Sequence, residues 1–245
     1  MRVLLISIKG GSGSDVYYKL LKQGLDKYTD IKSNLIFIPH IFEKLFFFIP
    51  LYLKYKKIDF NKYEIIHTNV EFGWWFKQGN KPLVVVVHHN PLDKEFQKHT
   101  NITQKIFYYF WVKPNFKKSL LVADSIIAVS KYTKGSIIDY FKIKKNIKVI
   151  YNGIDINFFK PFLNYEHKNK KTVLLFAGNL IKRKGVDLLP KIMKKLRDGY
   201  ELYFTSGRRT KISKELKLKN MIPLGRLNDK QLLEKYNKCD MVLFP

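Results

Sequence analysis

Apolar residues follow two spacings along the chain, and the two alternate. Val3–Ser7 is a continuous apolar run that predicts a buried strand, while Val16, Leu20, Leu21 and Leu25 recur at helical spacing across Asp15–Leu25. Leu35–Ile38, Ile65–His67 and Val84–Val87 read as strands, and four consecutive valines suit a central parallel strand covered on both faces. Ile102–Val122 predicts a helix broken near Pro114, whose ring removes a donor and crowds the preceding turn. Ser125–Val129 then reads as a strand, Lys131–Phe141 as a helix and Lys148–Ile150 as a strand.

An irregular polar stretch with Gly153, Pro161 and a charged run interrupts the alternation over Asn152–Lys171. It resumes with a strand at Val173–Ala177, a helix at Val186–Arg197 and a strand at Glu201–Phe204. A short helix from Thr210, a strand at Met221–Leu224, a helix at Asp229–Asn237 and a strand at Met241–Phe244 follow. Strands alternating with helices predict parallel α/β architecture with right-handed connections. The expected organisation is a first domain over 1–151, a linker over 152–171 and a second domain over 172–245. The second is expected to be partial, because it stops on a strand and is short for a Rossmann-like domain. No solenoid repeat is present.

Composition narrows the partners. With 46% hydrophobic and 27% charged residues, the 245-residue chain is globular in kind and not disordered. The net charge is +26, spread as +14 over residues 1–160 and +12 over 161–245, so an anionic partner is expected. Lysine outnumbers arginine 40 to 6, which makes nucleic acid an unlikely partner, because base reading favours the bidentate arginine fork. The charge reads as attraction to phosphate or anionic lipid. The single cysteine, Cys239, excludes an internal disulfide framework and is expected to be a buried thiol.

Met1–Ile8 is apolar but too short for a signal peptide. Leu45–Leu53, with Phe46, Phe47 and Phe48, is too short to span a bilayer, contains Pro50, and is followed by Lys54, Lys56 and Lys57. Two readings stay open for it: an interfacial segment on an anionic leaflet, or a core helix with a solvated end. A cytoplasmic protein, peripheral on the inner face of the membrane, is the matching localisation.

Three motifs carry candidate chemistry. Lys9–Asp15 places Gly10, Gly11 and Gly13 between a strand and a helix, where backbone can approach an anion; a plain tight turn fits as well. His88-His89-Asn90 follows the valine strand, at the strand end where α/β proteins place ligands. Adjacent histidines there point opposite ways, so no metal site is expected. Asn179–Gly185 crowds Lys182, Arg183 and Lys184 at a strand-to-helix turn, which suits a diphosphate or a solvated basic turn.

Taken in order, these pieces resemble the glycosyltransferase family 4 group of the GT-B fold. Lys148–Pro161 is similar to the family's inter-domain signature, with Asn152, Gly153, Asp155, Phe159 and Pro161 in register. Ala123–Ser130 resembles the strand leading to the family's serine, and Phe176–Gly185 its donor-phosphate turn. Leu224-Gly225-Arg226 and Asp240–Pro245 resemble the nucleobase loop and the strand near the donor sugar. The resemblance implies two Rossmann-like domains with parallel sheets, the second truncated here. It also implies retaining transfer of a sugar from a nucleotide-diphosphate sugar to a glycan or lipid-linked acceptor, with no obligatory metal or other cofactor. Lys184 and Arg183 would neutralise the donor diphosphate, and Gly11 would approach the donor sugar or phosphate. Asn179, Gly225 and Arg226 would complete the donor site, and His88 would be the catalytic-side histidine. Asn179 stands where the family often has arginine, which puts more of the phosphate load on Lys184. The family's pair of glutamates, with seven residues between them, would fall beyond Pro245. A catalytically incomplete relative serving as a binding or partner subunit is the alternative.

Overall fold

The computed structural model describes residues 1–10, 13–39, 58–163, 170–206 and 213–245. They form two compact units, Met1–Ile154 and Asp155–Pro245. In the first, strands β1 (Arg2–Lys9), β2 (Lys32–Pro39), β3 (Ile65–Asn69), β4 (Leu83–Val87), β5 (Ser125–Ala128) and β6 (Ile147–Val149) make a six-stranded sheet. Its order is β2-β1-β3-β4-β5-β6, with every pairing parallel. Helix α1 (Gly13–Tyr28) covers one face, where Val3, Leu5, Val86 and Tyr18 cluster. The other face meets Val112, Phe116 and Leu120 around Leu4, Ile6, Ile66 and Val85. The valine strand is covered on both sides, as its unbroken apolar run predicts.

Between β4 and β5 run α2 (Lys94–Gln97), α3 (Ile102–Phe107), a π turn (Tyr108–Val112) and α4 (Lys113–Val122). The break expected near Pro114 is this π turn. Pro114 sits just after the π turn, at the start of α4, and the widened turn before it carries the Lys113 N–H to the Tyr108 carbonyl, five residues back. Gly73 opens a 3-10 turn over Gly73–Phe76 and is pressed against the sheet: a Cβ there would lie 2.6 Å from Val85 Cγ1. Helix α5 (Lys131–Phe141) begins at the Ser130 cap and ends on Lys142 in the left-handed region.

In the second unit β7 (Thr172–Phe176), β8 (Tyr200–Thr205), β9 (Met221–Gly225) and β10 (Met241–Val242) form a parallel sheet ordered β10-β7-β8-β9. Helices α6 (Leu189–Leu196) and α7 (Asp229–Lys238) accompany it. Leu174, Phe176, Leu189, Met193, Leu202 and Phe204 form its core. Asn237 ties Lys160 and Phe162 to α7, accepting from the Phe162 amide at 2.6 Å and donating to the Lys160 carbonyl at 3.3 Å. Cys239, expected to be buried, is half-buried at the end of α7 with its thiol 3.4 Å from the Tyr236 carbonyl. The expected helix start at Thr210 and the Leu45–Leu53 run with Lys54, Lys56 and Lys57 lie outside the described residues.

Candidate functional site

In a doubly wound sheet the chain leaves one strand in opposite directions, and a crevice opens at the carboxyl ends of the two strands flanking that reversal. In the first unit that point lies between β1 and β3. Side chains alternate along a strand, so one parity of each strand faces α1: Val3, Leu5 and Ser7 in β1, Ile65, His67 and Asn69 in β3, Val86 and then His88 after β4. Toward the carboxyl ends this parity turns from apolar to polar. Ser7, His67 and Asn69 are buried and His88 is half-buried.

These groups form a neutral cluster beneath the start of α1. Ser7 Oγ lies 3.2 Å from Ser14 Oγ, and Asn69 Nδ2 donates to Ser14 Oγ at 3.2 Å. The Tyr17 ring meets His88 edge-on at 4.7 Å and lies 6.3 Å from the His67 ring, while Tyr18 stands 5.6 Å from His67. Burial, reinforced by the neighbouring His88, holds His67 at a pKa of about 4; burial and then His89 hold His88 at about 4. Burial raises the Tyr17 phenol to about 12. Neither nitrogen of His67, nor Nε2 of His88, nor Oδ1 of Asn69 has a hydrogen-bond partner among the described residues. The glycine turn itself already holds a carboxylate: the Gly10 N–H donates to Asp15 Oδ1 at 3.2 Å. The Asp15 carboxylate thus occupies the Gly10 N–H at the start of α1. Gly11 lies outside the described residues.

Only His88 of the histidine motif joins this cluster. His89 is exposed and stacks on Phe96 at 5.4 Å. Asn90 is buried and structural, donating to Ser136 Oγ at 2.9 Å and accepting the Leu92 amide at 3.0 Å.

In the second unit the reversal lies between β7 and β10, and there the chemistry is cationic. The chain leaves β7 through Gly178 and Asn179 into a 3-10 turn, Lys182–Lys184. The Lys184 side chain folds back over Gly178: a Cβ on that glycine would lie 3.4 Å from both Lys184 Cδ and Nζ. Thr205 at the end of β8 pins the same glycine, accepting its N–H at 2.8 Å and donating to its carbonyl at 3.1 Å. Gly185 ends the turn in the left-handed region (φ 69°), and a Cβ there would meet the Pro245 carbonyl at 2.8 Å. Lys182, Arg183, Lys184 and Asn179 are all exposed. Gly225, also left-handed (φ 68°), accepts the Ser206 amide at 2.8 Å, and exposed Arg226 follows it. Gly225 ends β9 and Arg226 follows it, and β9 is separated from β7 by β8.

One expectation is corrected here. The helix expected from Val186 begins at Leu189. The left-handed Gly185 reverses the chain, and residues 185–188 make turn bonds, with the Leu188 amide donating to the Gly185 carbonyl at 3.0 Å. The charge on this turn is therefore that of its side chains, without a helix N-terminus directly behind them. Ser7, Ser14, Tyr17, His67, Asn69 and Thr205 were not singled out from the sequence. The polar parity at three strand ends was the available signal for Ser7, His67 and Asn69.

Two units, each a parallel sheet with polar chemistry gathered where its strand order reverses, match GT-B glycosyltransferase structures in fold. The chain belongs to Glycosyltransferase Family 4, whose model matches residues 12–158. It is 24% identical over 207 residues to the processive diacylglycerol alpha-glucosyltransferase of Acholeplasma laidlawii, covering 75% of this chain and 59% of that protein. It is 31% identical over 169 residues to an uncharacterized glycosyltransferase of Methanocaldococcus jannaschii, covering 61% of this chain and 39% of that protein. The chain thus spans less than two thirds of the length of these relatives. Among solved structures, Anabaena HepE in complex with UDP-glucose has the same fold, with a TM-score of 0.68, 19% identity and coverage of 99% of this chain and 73% of that one.

Proposed function

We propose that the protein transfers a sugar from a nucleotide-diphosphate sugar to a glycan or lipid-linked acceptor, with retention of configuration. The observation that carries this reading is the cationic turn at the β7/β10 reversal, where the Lys184 ammonium is folded over Gly178. As the bond from the anomeric carbon to the diphosphate oxygen breaks, its electron pair leaves with the diphosphate. Lys184 and Arg183 stabilise that growing charge. The acceptor hydroxyl bonds to the anomeric carbon on the face the diphosphate leaves, and its proton passes to the departing phosphate oxygen. His88, neutral at pH 7, exchanges hydrogen bonds with sugar hydroxyls without adding charge. No metal or other cofactor is assigned a part.

Uridine nucleotides come first because HepE, of the same fold, was solved with UDP-glucose. The name of the Acholeplasma relative, a diacylglycerol alpha-glucosyltransferase, supports a lipid acceptor. A lipid-linked acceptor would be met at an anionic, inner membrane surface, consistent with the net charge of +26.

Titration calorimetry with UDP, GDP and ADP tests the donor site, and release of nucleoside diphosphate from a sugar donor tests transfer. Binding weakened in Lys184→Ala and Arg183→Ala is the expected result. Clear binding indifferent to both substitutions would refute the assignment, and binding without transfer would favour a partner subunit over an enzyme.

A further inference from the structure

We infer that α3 and the π turn after it form the face by which the first unit docks on an anionic lipid bilayer. This deepens the lipid-acceptor reading by naming the surface, and it stands on residues the donor site does not use.

Every residue of α3 is exposed, although the helix carries Ile102, Ile106 and Phe107. Ile102 is 70% exposed and Phe110, one π-widened turn beyond Ile106, is 72% exposed; Tyr109 is exposed beside them. This is not a fraying end. Asn101 and Gln104 form a complete capping box at its start, and Val112, Phe116 and Leu120 anchor the following turns in the core. The opposite side of the segment is thereby held in a fixed orientation.

The charge around this face is mainly positive. Lys98 is paired with Glu95 of α2 at 2.7 Å, while Lys105, Lys113, Lys117 and Lys118 follow in a stretch, Phe96 to Ala123, that has no acidic side chain. The Lys113 ammonium lies 4.4 Å over the Tyr109 ring, so cation and aromatic are presented together. Isoleucine and phenylalanine that can enter the acyl boundary, tyrosine at headgroup depth and lysines for lipid phosphates are what an interfacial segment needs. Charge also argues against a second copy as the occupant, since pairing this face with itself would bring two lysine-rich rims together.

The test is co-sedimentation of the full chain with phosphatidylglycerol–phosphatidylcholine vesicles and with phosphatidylcholine alone, at low and raised salt. Wild type should bind the anionic vesicles and lose binding as salt rises. Ile106→Ser with Phe110→Ser should weaken binding about tenfold or more, in line with loss of two inserted apolar side chains. Tyr28→Ser, at an exposed apolar residue on α1, should change it little. Lys105→Gln with Lys113→Gln should weaken binding and flatten its salt dependence. Circular dichroism of each variant guards against misfolding. Absence of binding by wild type, binding unchanged in the Ile106/Phe110 variant, or self-association that this variant abolishes would each overturn the inference. Nucleotide titration on the same variants separates this outcome from failure of the donor-site reading.

Discussion

The two strand-order reversals solve different chemical problems with the same topology. In the first unit the reversal is lined by Ser7, His67, Asn69 and His88, half or fully buried and neutral at pH 7. In the second it is lined by exposed Lys182, Arg183 and Lys184 on a turn braced by Gly178, Thr205 and Pro245. A parallel sheet supplies the crevice in both cases, and side chains decide what enters it. Hydroxyl-bearing groups suit the first, while a diphosphate suits the second.

The largest expected difference is in acid. His67 and His88 have depressed pKa values in the folded chain, so their contribution is fully present above the unfolded value near 6.5. Below that the unfolded chain binds protons that the folded one refuses, and the first unit loses stability until about pH 4. The loss should be on the order of a few kcal/mol for the pair. All three tryptophans, Trp74, Trp75 and Trp111, lie in the first unit, so urea unfolding followed by tryptophan fluorescence isolates it. His67→Gln should flatten the acid limb; an unchanged limb would separate the cluster from the acid response.

Ligand binding should split the other way. Lys184→Ala should weaken nucleoside diphosphate binding by about 1.5–3 kcal/mol, the range for a charge-assisted hydrogen bond, while Lys230→Ala on α7 should not. The same substitution should leave the acid limb of tryptophan fluorescence where it is.

Backbone crowding offers a matched pair. Gly185→Ala places a side chain in the left-handed region against Pro245 and should destabilise the second unit by about 1–2 kcal/mol from the backbone alone. Gly73→Ala drives a methyl into Val85 and should destabilise the first by about 1–3 kcal/mol. Only the second of these should move the fluorescence transition; circular dichroism should register both. The smallest effect is Thr205→Val, which strands the Gly178 amide and should cost about 1 kcal/mol in thermal or urea unfolding.

The order of strands and helices was legible because unbroken apolar runs and helical spacings are strong in this chain, as at Val84–Val87 and Asp15–Leu25. The break at Pro114 was legible too, but not its form, because a π turn depends on how Phe116 and Leu120 seat in the core. Lys182–Lys184 stood out as a cluster of charge in sequence. His67 did not, because a single histidine among isoleucines says nothing until β1, β3 and β4 are laid side by side. The late start of α6 was hidden for a similar reason: the contact of Gly185 with Pro245 joins residues 60 apart.

The alternation in β3 has a consequence for how this segment can change length. Ile65, His67 and Asn69 look one way, and Ile66 and Thr68 the other, with Ile66 in the opposite core and the Thr68 hydroxyl bonded to the Ile6 carbonyl at 3.0 Å. Loss of Ile66 would keep the backbone ladder yet exchange the two readings beyond it, sending the imidazole into the hydrophobic layer and Thr68 beneath α1. Loss of two would restore the facing. The strand behaves as a two-letter reading frame, in which single insertions and deletions are missense for the whole cluster, while the loops on either side are free to drift in length.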